Sequence, residues 1–369
     1  MSITKRLSKK TIYGWTLVGN MAIQTDIKEL SKDNLIVWLK RREIKPYRAG
    51  QILKWIYLRQ ADTFEAMTDI KKEIRQQLSH YFYIHRLQKA RIETSQDGSK
   101  KYLFKLGDGK YVESVLIPEK DHYTLCISSQ VGCAQGCRFC LTARGGFTRN
   151  LTKGEIVAQV RDVALDIGGS KRLSNIVMMG MGEPLANFSN VVDAIHIMTD
   201  KDTGLGFSNR RVTVSTSGLV PKLIDLGRET TVNLAVSLNA TENQTRDMLM
   251  PINRKYPIEQ LLKACENYPL MPRRKITFEY ILIKGINDSQ ENAERLARLL
   301  RPIRAKINLI PFNTYEKSEF QRPEDAVILR FKEILSKTNY TAIVRYSKGQ
   351  DISAACGQLR ANTMPDEII

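Results

Sequence analysis

The amino-acid sequence predicts an α/β fold: an incomplete parallel (β/α) barrel with a small helical domain in front of it. Three observations carry this. From about residue 124 onward, short β-rich runs alternate with amphipathic helical patterns, the order that makes parallel strands joined by right-handed crossovers. Before about residue 90 the apolar residues recur instead at spacings of three and four, the helical period. Segments rich in Gly, Cys, Ser and Asn fall directly after strand runs, where a parallel barrel gathers its chemistry.

Residues 1–26 carry Lys5, Arg6, Lys9 and Lys10 without an apolar core and read as a basic, disordered tail. A secretory signal is not expected there, and an organelle transit peptide is the alternative. Residues 27–95 form the helical domain. Leu35, Trp38 and Leu39 share one face, Ile52, Trp55 and Ile56 a second, and Ile70, Ile74 and Leu78 a third. Between them lie Lys40, Arg41, Arg42, Lys45, Arg48, Lys54 and Arg59, a solvated or a phosphate-binding surface. Residues 96–123 read as a strand pair, because Asp97-Gly98 and Asp108-Gly109 are hairpin turn signals.

The barrel is placed at 124–349. Its strand runs are 124–128, 175–179, 211–215, 232–238, 275–283, 306–311 and 341–346. Thr152 and Glu155 form a capping box ahead of Ile156, Val160 and Val163. Ala293, Leu296, Ala297 and Leu300 repeat the helical pattern later, and residues 350–369 form a C-terminal loop and tail.

Composition narrows the function classes. The chain has 369 residues, 42% hydrophobic and 26% charged, which are ordinary globular values. No apolar run approaches the roughly 18 residues of a membrane span. The formal net charge of +18 points to a polyanionic partner, most often nucleic acid. Six cysteines in a chain of this size are not a disulfide framework.

Three of those cysteines, Cys133, Cys137 and Cys140, lie within eight residues as CxxxCxxC. Three thiolates are one short of a closed structural metal site. They suit a four-iron, four-sulfur cluster with one iron open to an exchangeable ligand. Completion of a zinc site by Cys126 or His122 is the alternative. Further polar residues end other strand runs: Gly182 and Glu183, Ser215, Ser237 to Asn239, and Asn313. Singly each is an ordinary turn or cap, but five such ends on one rim outline a site.

CxxxCxxC after one strand and Gly-Glu-Pro after the next resemble the radical S-adenosylmethionine superfamily. The runs 137–152, 178–185, 211–218, 250–256 and 351–359 resemble one branch of it, the RlmN-type adenine-C2 RNA methyltransferases. The run 47–57 is similar to the RNA-binding accessory domain of that branch. The resemblance implies a partial barrel of the radical SAM type, one [4Fe-4S] cluster on Cys133, Cys137 and Cys140, and S-adenosylmethionine. It implies cofactor contacts from Gly182, Glu183, Ser215, Ser237, the Leu238 backbone, Asn239 and Asn313. Many members carry His where this chain has Asn239, which makes that side-chain contact less secure.

The resemblance also implies the chemistry. Cys356 accepts a methyl group, Glu113 removes the proton from adenine C2, and Cys126 releases the product by forming a transient disulfide with Cys356. Two S-adenosylmethionines are used per methylation. The implied substrates are 23S ribosomal RNA and, as a second candidate, transfer RNA. An external electron donor such as flavodoxin or ferredoxin completes a cytoplasmic, monomeric enzyme. Two other readings stay open: a related branch that methylates C8, disfavoured by Ala143-Arg144 where its members tend to have Gly-Asp, and a zinc-stabilised RNA-binding protein without turnover. Cys265, on an apolar helical face, reads as core.

Overall fold

The computed structural model describes residues 24–167, 172–315 and 318–360; most of the expected basic tail and residues 361–369 lie outside them. The chain divides into two compact units between His85 and Arg86. Among the described residues no helix is long and apolar enough to cross a membrane.

The first unit contains three helices, Lys32–Lys40, Arg48–Tyr57 and Lys72–Tyr81. Ser31 caps the first by accepting the Asn34 N–H at 3.1 Å. Leu35, Leu39, Ile52, Ile56 and Leu78 are fully buried, as the periodicity predicts. Thr25–Asp26 pairs in parallel with Phe82–Tyr83 and ties the two ends of the unit together. Trp55 departs from the prediction. It is only half-buried, its indole N–H donates to Asp69 Oδ1 at 2.6 Å, and its ring carries the Arg59 guanidinium at 4.1 Å. An indole keeps a polar N–H that an aliphatic core cannot satisfy, so Leu53 and Tyr57 fill the buried side of that helix instead. Lys40, Arg41, Lys45, Lys54 and Arg59 are exposed, whereas Arg42 is stacked on Trp38 and Tyr81 at 4.1 and 4.3 Å.

A ten-stranded sheet runs through the second unit. Its strands are β1 (Gln88–Thr94), β2 (Lys100–Lys105), β3 (Tyr111–Pro118), β4 (His122–Cys126), β5 (Arg172–Met178), β6 (Val212–Thr216), β7 (Asn233–Ser237), β8 (Ile276–Leu282), β9 (Ala305–Pro311) and β10 (Ala342–Val344). Strands β1 to β4 are an antiparallel meander. From β4 to β10 every neighbouring pair is parallel and in chain order. Each expected barrel strand is present, and β1 and β10 remain edges, so the barrel is open. The capping box at Thr152 and Glu155 forms as predicted, and Arg149 holds Glu155 with two 2.8 Å bonds.

The boundary expected at residue 95 falls elsewhere. Residues 88–94 are not helical but form β1, paired along β2. Asp97-Gly98 turns β1 into β2, and Asp108-Gly109 turns β2 into β3, so the expected strand pair is three strands continuous with the barrel sheet. The sequence of β1 hides this because nearly all of it is exposed. A charged, solvent-facing edge strand lacks the alternation that marks a half-buried one.

The segment after β10 crosses back to this meander. Ser95 Oγ donates to Asp351 Oδ1 at 2.6 Å, and the Gln96 N–H to Asp351 Oδ2 at 3.1 Å. The Gly349 N–H donates to Asp97 Oδ2 at 2.7 Å, and Lys101 Nζ to the Ile352 carbonyl at 2.5 Å. These bonds hold the loop carrying Cys356 over the open side of the barrel.

Hydrogen bonds hold both carboxyls below their usual range. The Ser95 hydroxyl does so for Asp351. Burial pushes Asp97 up, but the N–H groups of Gly349 and Ser99 more than offset it. A depressed carboxyl stabilises above its unfolded pKa and loses that contribution as pH falls through the folded value. Docking of residues 349–359 is therefore expected to hold at neutral pH and to loosen below about pH 4. Hydrogen exchange of this segment checks it, and Asp97→Ala should produce the same loosening at pH 7. Unchanged protection in both cases would contradict the assignment.

Candidate active site

The parallel strands end at a cavity enclosing about 1150 Å³ of non-protein space, mouth included. Its lining comes from β3, from the C-terminal parts of β4 to β9 and the residues just past them, from Arg345 after β10, and from the Cys356 loop.

The cysteine triplet sits on a loop pinched at its base. Gln130–Gly132 pairs antiparallel with Phe147–Asn150, and the Cys133 N–H donates to the Gly146 carbonyl at 2.7 Å. Gly132 has φ +77°, and a Cβ there would lie 2.0 Å from that same carbonyl oxygen. Only glycine permits this closure. Cys137 and Phe139 are packed among Leu249, Met250, Ile252, Ile283, Phe312 and Phe320. Cys133, Cys137 and Cys140 all line the cavity.

Their electrostatics define what they can hold. Burial pushes the Cys133 thiol up to about 12, and burial followed by Cys140 and Cys133 pushes Cys137 well above its ordinary value. Such thiols ionise only when a strong positive charge joins them, as a metal centre provides. Among the described residues no three His, Cys, Asp or Glu side chains are close enough together to hold a single metal ion. Three thiols that line one cavity and raise one another's pKa suit an iron–sulfur cluster with one iron left open.

Beside them, Glu183 is 3% exposed. Its Oε2 accepts the Ser217 N–H at 2.7 Å and the Ser217 hydroxyl at 2.8 Å, and its Oε1 accepts the Leu185 N–H at 3.0 Å. Burial raises its pKa despite these bonds. The Thr216 hydroxyl bonds the same carboxylate, whose charge at the cavity wall suits a cationic amine. Gly182, at φ +100°, lets this turn pass Gln130, whose Cβ would lie 2.5 Å from any side chain placed there.

Gly182, Glu183, Ser215, Ser237, Asn239, Cys126 and Cys356 all line the same cavity. Three other predicted residues do not. Leu238 is fully buried, with its N–H donating to the Glu279 carbonyl at 3.0 Å and its own carbonyl accepting from Arg246. Asn313 Nδ2 donates to the Cys356 carbonyl at 3.3 Å and so holds the loop. Glu113 lies on β3 on the same face as Val115 and Ile117, which do line the cavity. Its Oε2 accepts the Arg360 N–H at 2.9 Å and its Oε1 stands 3.8 Å from Lys101 Nζ. Asn239 is in the cavity wall, but its Oδ1 accepts the Ile281 N–H at 2.8 Å, and its φ of +58° is one that Asn tolerates.

Cys126 and Cys356 are both free thiols. Cys126 ends β4 and is buried; burial, then the nearby Cys356, raises it to about 12. Cys356 is exposed, but to the cavity, and protein packed around that cavity raises its pKa as well. Its loop is fixed to the cysteine triplet: the Leu141 N–H donates to the Gly357 carbonyl at 2.7 Å, and the Thr142 hydroxyl to the Leu359 carbonyl. Cys265 is buried core on helix Ile258–Glu266, as expected.

Two functional residues escape the sequence reading. Arg246 is completely buried. Its Nε donates to the Leu238 carbonyl at 3.0 Å, Nη1 to Asn253 Oδ1 at 3.0 Å, and Nη2 to the Ser217 and Ser237 carbonyls at 2.8 and 3.1 Å. Burial lowers its pKa to about 10, so it stays charged and favours the thiolate of Cys137. Glu279, on β8, is the second.

The sequence profile of the radical SAM superfamily matches residues 127–297, and that of the ribosomal RNA large subunit methyltransferase N-terminal domain matches residues 25–84. A protein of Desulfosudis oleivorans named dual-specificity RNA methyltransferase RlmN is 57% identical over 94% of this chain and 93% of its own length. The protein of the same name from Geobacter sulfurreducens is 55% identical over 92% and 93%. The crystal structure of a radical SAM methyltransferase from Sphaerobacter thermophilus superposes with a TM-score of 0.86 at 45% identity, covering 92% of this chain and all of that one.

Removing the guanidinium with Arg246→Met should destabilise the second unit by about 3–5 kcal/mol, since it leaves buried carbonyl groups unpaired. Urea unfolding checks this. A loss below about 1 kcal/mol would mean that the carbonyls find other partners.

Proposed function

We propose that this chain, which belongs to the radical SAM RNA methyltransferases of the RlmN family, methylates carbon 2 of an adenosine in 23S ribosomal RNA, with transfer RNA as a second substrate. The observation that carries the mechanism is the meeting of Cys126 and Cys356, far apart in sequence, in the cavity that also receives the cysteine triplet. Cys133, Cys137 and Cys140 would hold the [4Fe-4S] cluster, and Glu183 with Ser215 and Ser237 would hold S-adenosylmethionine. When bound, the cluster supplies one-electron reductive cleavage of the sulfonium.

Adenine C2 lies between two ring nitrogens and is too electron-poor to attack a sulfonium methyl. The protein answers with a thiol that carries the carbon itself. Cys356 accepts a methyl group from one S-adenosylmethionine, forming an S–CH₃ bond as the sulfonium bond breaks. A hydrogen atom passes from that methyl to the 5′-deoxyadenosyl group of a second S-adenosylmethionine, the carbon left on Cys356 bonds to C2, and the adduct gives up the C2 proton and one electron, the electron that the cleavage had taken up. Cys126 then attacks the Cys356 sulfur; the sulfur–carbon bond breaks as the sulfur–sulfur bond forms, the released carbon takes up a proton to become the methyl group, and an external thiol reduces the disulfide.

In this scheme Glu113 takes the C2 proton. That role requires the segment around Arg360 to release the carboxylate, because the Arg360 N–H occupies it. The exposed Lys40, Arg41, Lys45, Lys54 and Arg59 would hold phosphates, with the salt dependence such contacts bring. The target base would leave its stack to enter the cavity. The same reading makes the protein a cytoplasmic monomer supplied by an external electron donor of the flavodoxin or ferredoxin class. The zinc-stabilised binder leaves Cys126 and Cys356 in one cavity without a purpose.

Cys126→Ala tests the scheme. It should allow carbon transfer but stall release, leaving protein covalently attached to RNA through Cys356, as seen by denaturing gel and mass spectrometry. Free turnover by this variant, or a methylated Cys356 with no adduct, would sink the disulfide step. Because Cys126 is raised to about 12, its reactive thiolate grows about tenfold per pH unit across the neutral range. Release of the wild-type adduct, followed by rapid quench, should accelerate with that slope between about pH 7 and 9, and a flat profile would assign release to another group.

A further inference from the structure

Glu279 is a charged residue in the middle of an otherwise apolar strand, the run Ile-Thr-Phe-Glu-Tyr-Ile-Leu of β8. It is 5% exposed and lines the cavity. Asn308 on the neighbouring β9 donates through Nδ2 to its Oε1 at 2.9 Å. Its Oε2 is buried and has no hydrogen-bond partner in the protein. A carboxylate oxygen left this way is costly. A barrel strand would tolerate leucine here if packing were the only demand, so the free oxygen points to a ligand that donates to it.

Two ligands enter this cavity in the function proposed above. Glu183 follows β5 and is bonded to Ser217 just past β6. Glu279 lies in register between Ser237 on β7 and Asn308 on β9, and β9 leads to Asn313, whose Nδ2 donates to the Cys356 carbonyl at 3.3 Å. The ligand beside Cys356 is the base that receives the carbon. On an adenine ring the exocyclic amine and C2 flank N1 on one edge, so a base with C2 at Cys356 presents its amine a few ångströms away. The amine is a donor, whereas guanine and hypoxanthine place an acceptor oxygen at that position.

We propose that Glu279 is the residue that reads the target base, its Oε2 accepting a hydrogen bond from the exocyclic amine of the adenine whose C2 lies at Cys356. The assignment rests on the adenine-C2 reading. It makes Glu279 a specificity-determining residue, and it explains why a carboxylate is kept in the barrel wall without a partner for both of its oxygens.

The test compares two hairpin RNAs, one with adenosine in its loop and one with every loop adenosine replaced by purine riboside, which lacks only the amine. Binding to the cluster-loaded enzyme is measured anaerobically by fluorescence anisotropy, and methylation in a single turnover. The wild-type enzyme should bind and methylate the purine RNA about 10- to 100-fold less well. Glu279→Leu should bind the two RNAs within about twofold of each other. Glu279→Gln, which keeps an acceptor oxygen, should retain most of the discrimination. Binding of S-adenosylmethionine should be the same in all three proteins.

Equal use of the two RNAs by the wild-type enzyme would overturn the proposal without recourse to any variant. So would full discrimination by Glu279→Leu, or a loss of S-adenosylmethionine affinity in that variant, which would give the oxygen to the cofactor. Discrimination in binding without any 2-methyladenosine would instead sink the C2 reading and leave the amine contact standing.

Discussion

The C-terminal edge of a parallel sheet presents carbonyl groups that no further strand can pair with, and in this barrel they must surround a cavity without filling it. Arg246 resolves much of that conflict. Its fully buried guanidinium donates to the carbonyls of Ser217, Ser237 and Leu238, which end or follow two adjacent strands, and to the Asn253 side chain. Planar, rigid and always charged, it can satisfy several acceptors at once where a lysine could not. Asn287 does similar work one strand further on, donating to the Asn239 and Ile281 carbonyls at 2.7 Å each. The floor of the site is thus fixed by side chains that do not line the cavity. The positive charge that braces it also lies beside a thiol that must ionise to hold a metal centre.

Above this floor the cavity gathers the cysteine triplet, Glu183, the serines at the ends of β6 and β7, Cys126, Cys356 and Glu279. The loop that bears Cys356 is tied at two places: it bonds to the meander through Asp351 and Gly349, and to Leu141 and Thr142 beside the triplet through Gly357 and Leu359. Such a loop can bring a thiol over the reacting atoms and keep water out of the barrel. Its polar, partly exposed contacts are also of the kind that open locally at low cost, which a substrate the size of RNA requires.

Much of this was legible in the sequence. The alternation of strand and helix patterns located every parallel strand, because buried strands and amphipathic helices carry strong periodic signals. The cysteine spacing and the Gly-Glu-Pro turn located the triplet and Glu183. What was hidden had physical reasons. Strand β1 is charged and lies at an edge. Trp55 shares a helical face with core residues but carries an N–H that seeks Asp69. The roles expected of Leu238 and Asn313 meet backbone and loop contacts that only the folded chain reveals. Arg246 leaves no mark in the sequence, because an arginine on a short helix is ordinarily solvent-facing. Glu279 did leave a mark, since a carboxylate at an inward position of an apolar strand conflicts with its surroundings, and such conflicts tend to mark function.

Methylation at a single carbon of adenine is read from the identity of the modified nucleoside. The protein would be loaded anaerobically with iron and sulfide, then given S-adenosylmethionine, a reductant and unmodified ribosomal RNA. Nucleosides from the digested RNA would be identified by mass spectrometry against standards. 2-Methyladenosine is the expected product. Formation of 8-methyladenosine, or 5′-deoxyadenosine with no methylated base from cluster-loaded protein, would contradict it.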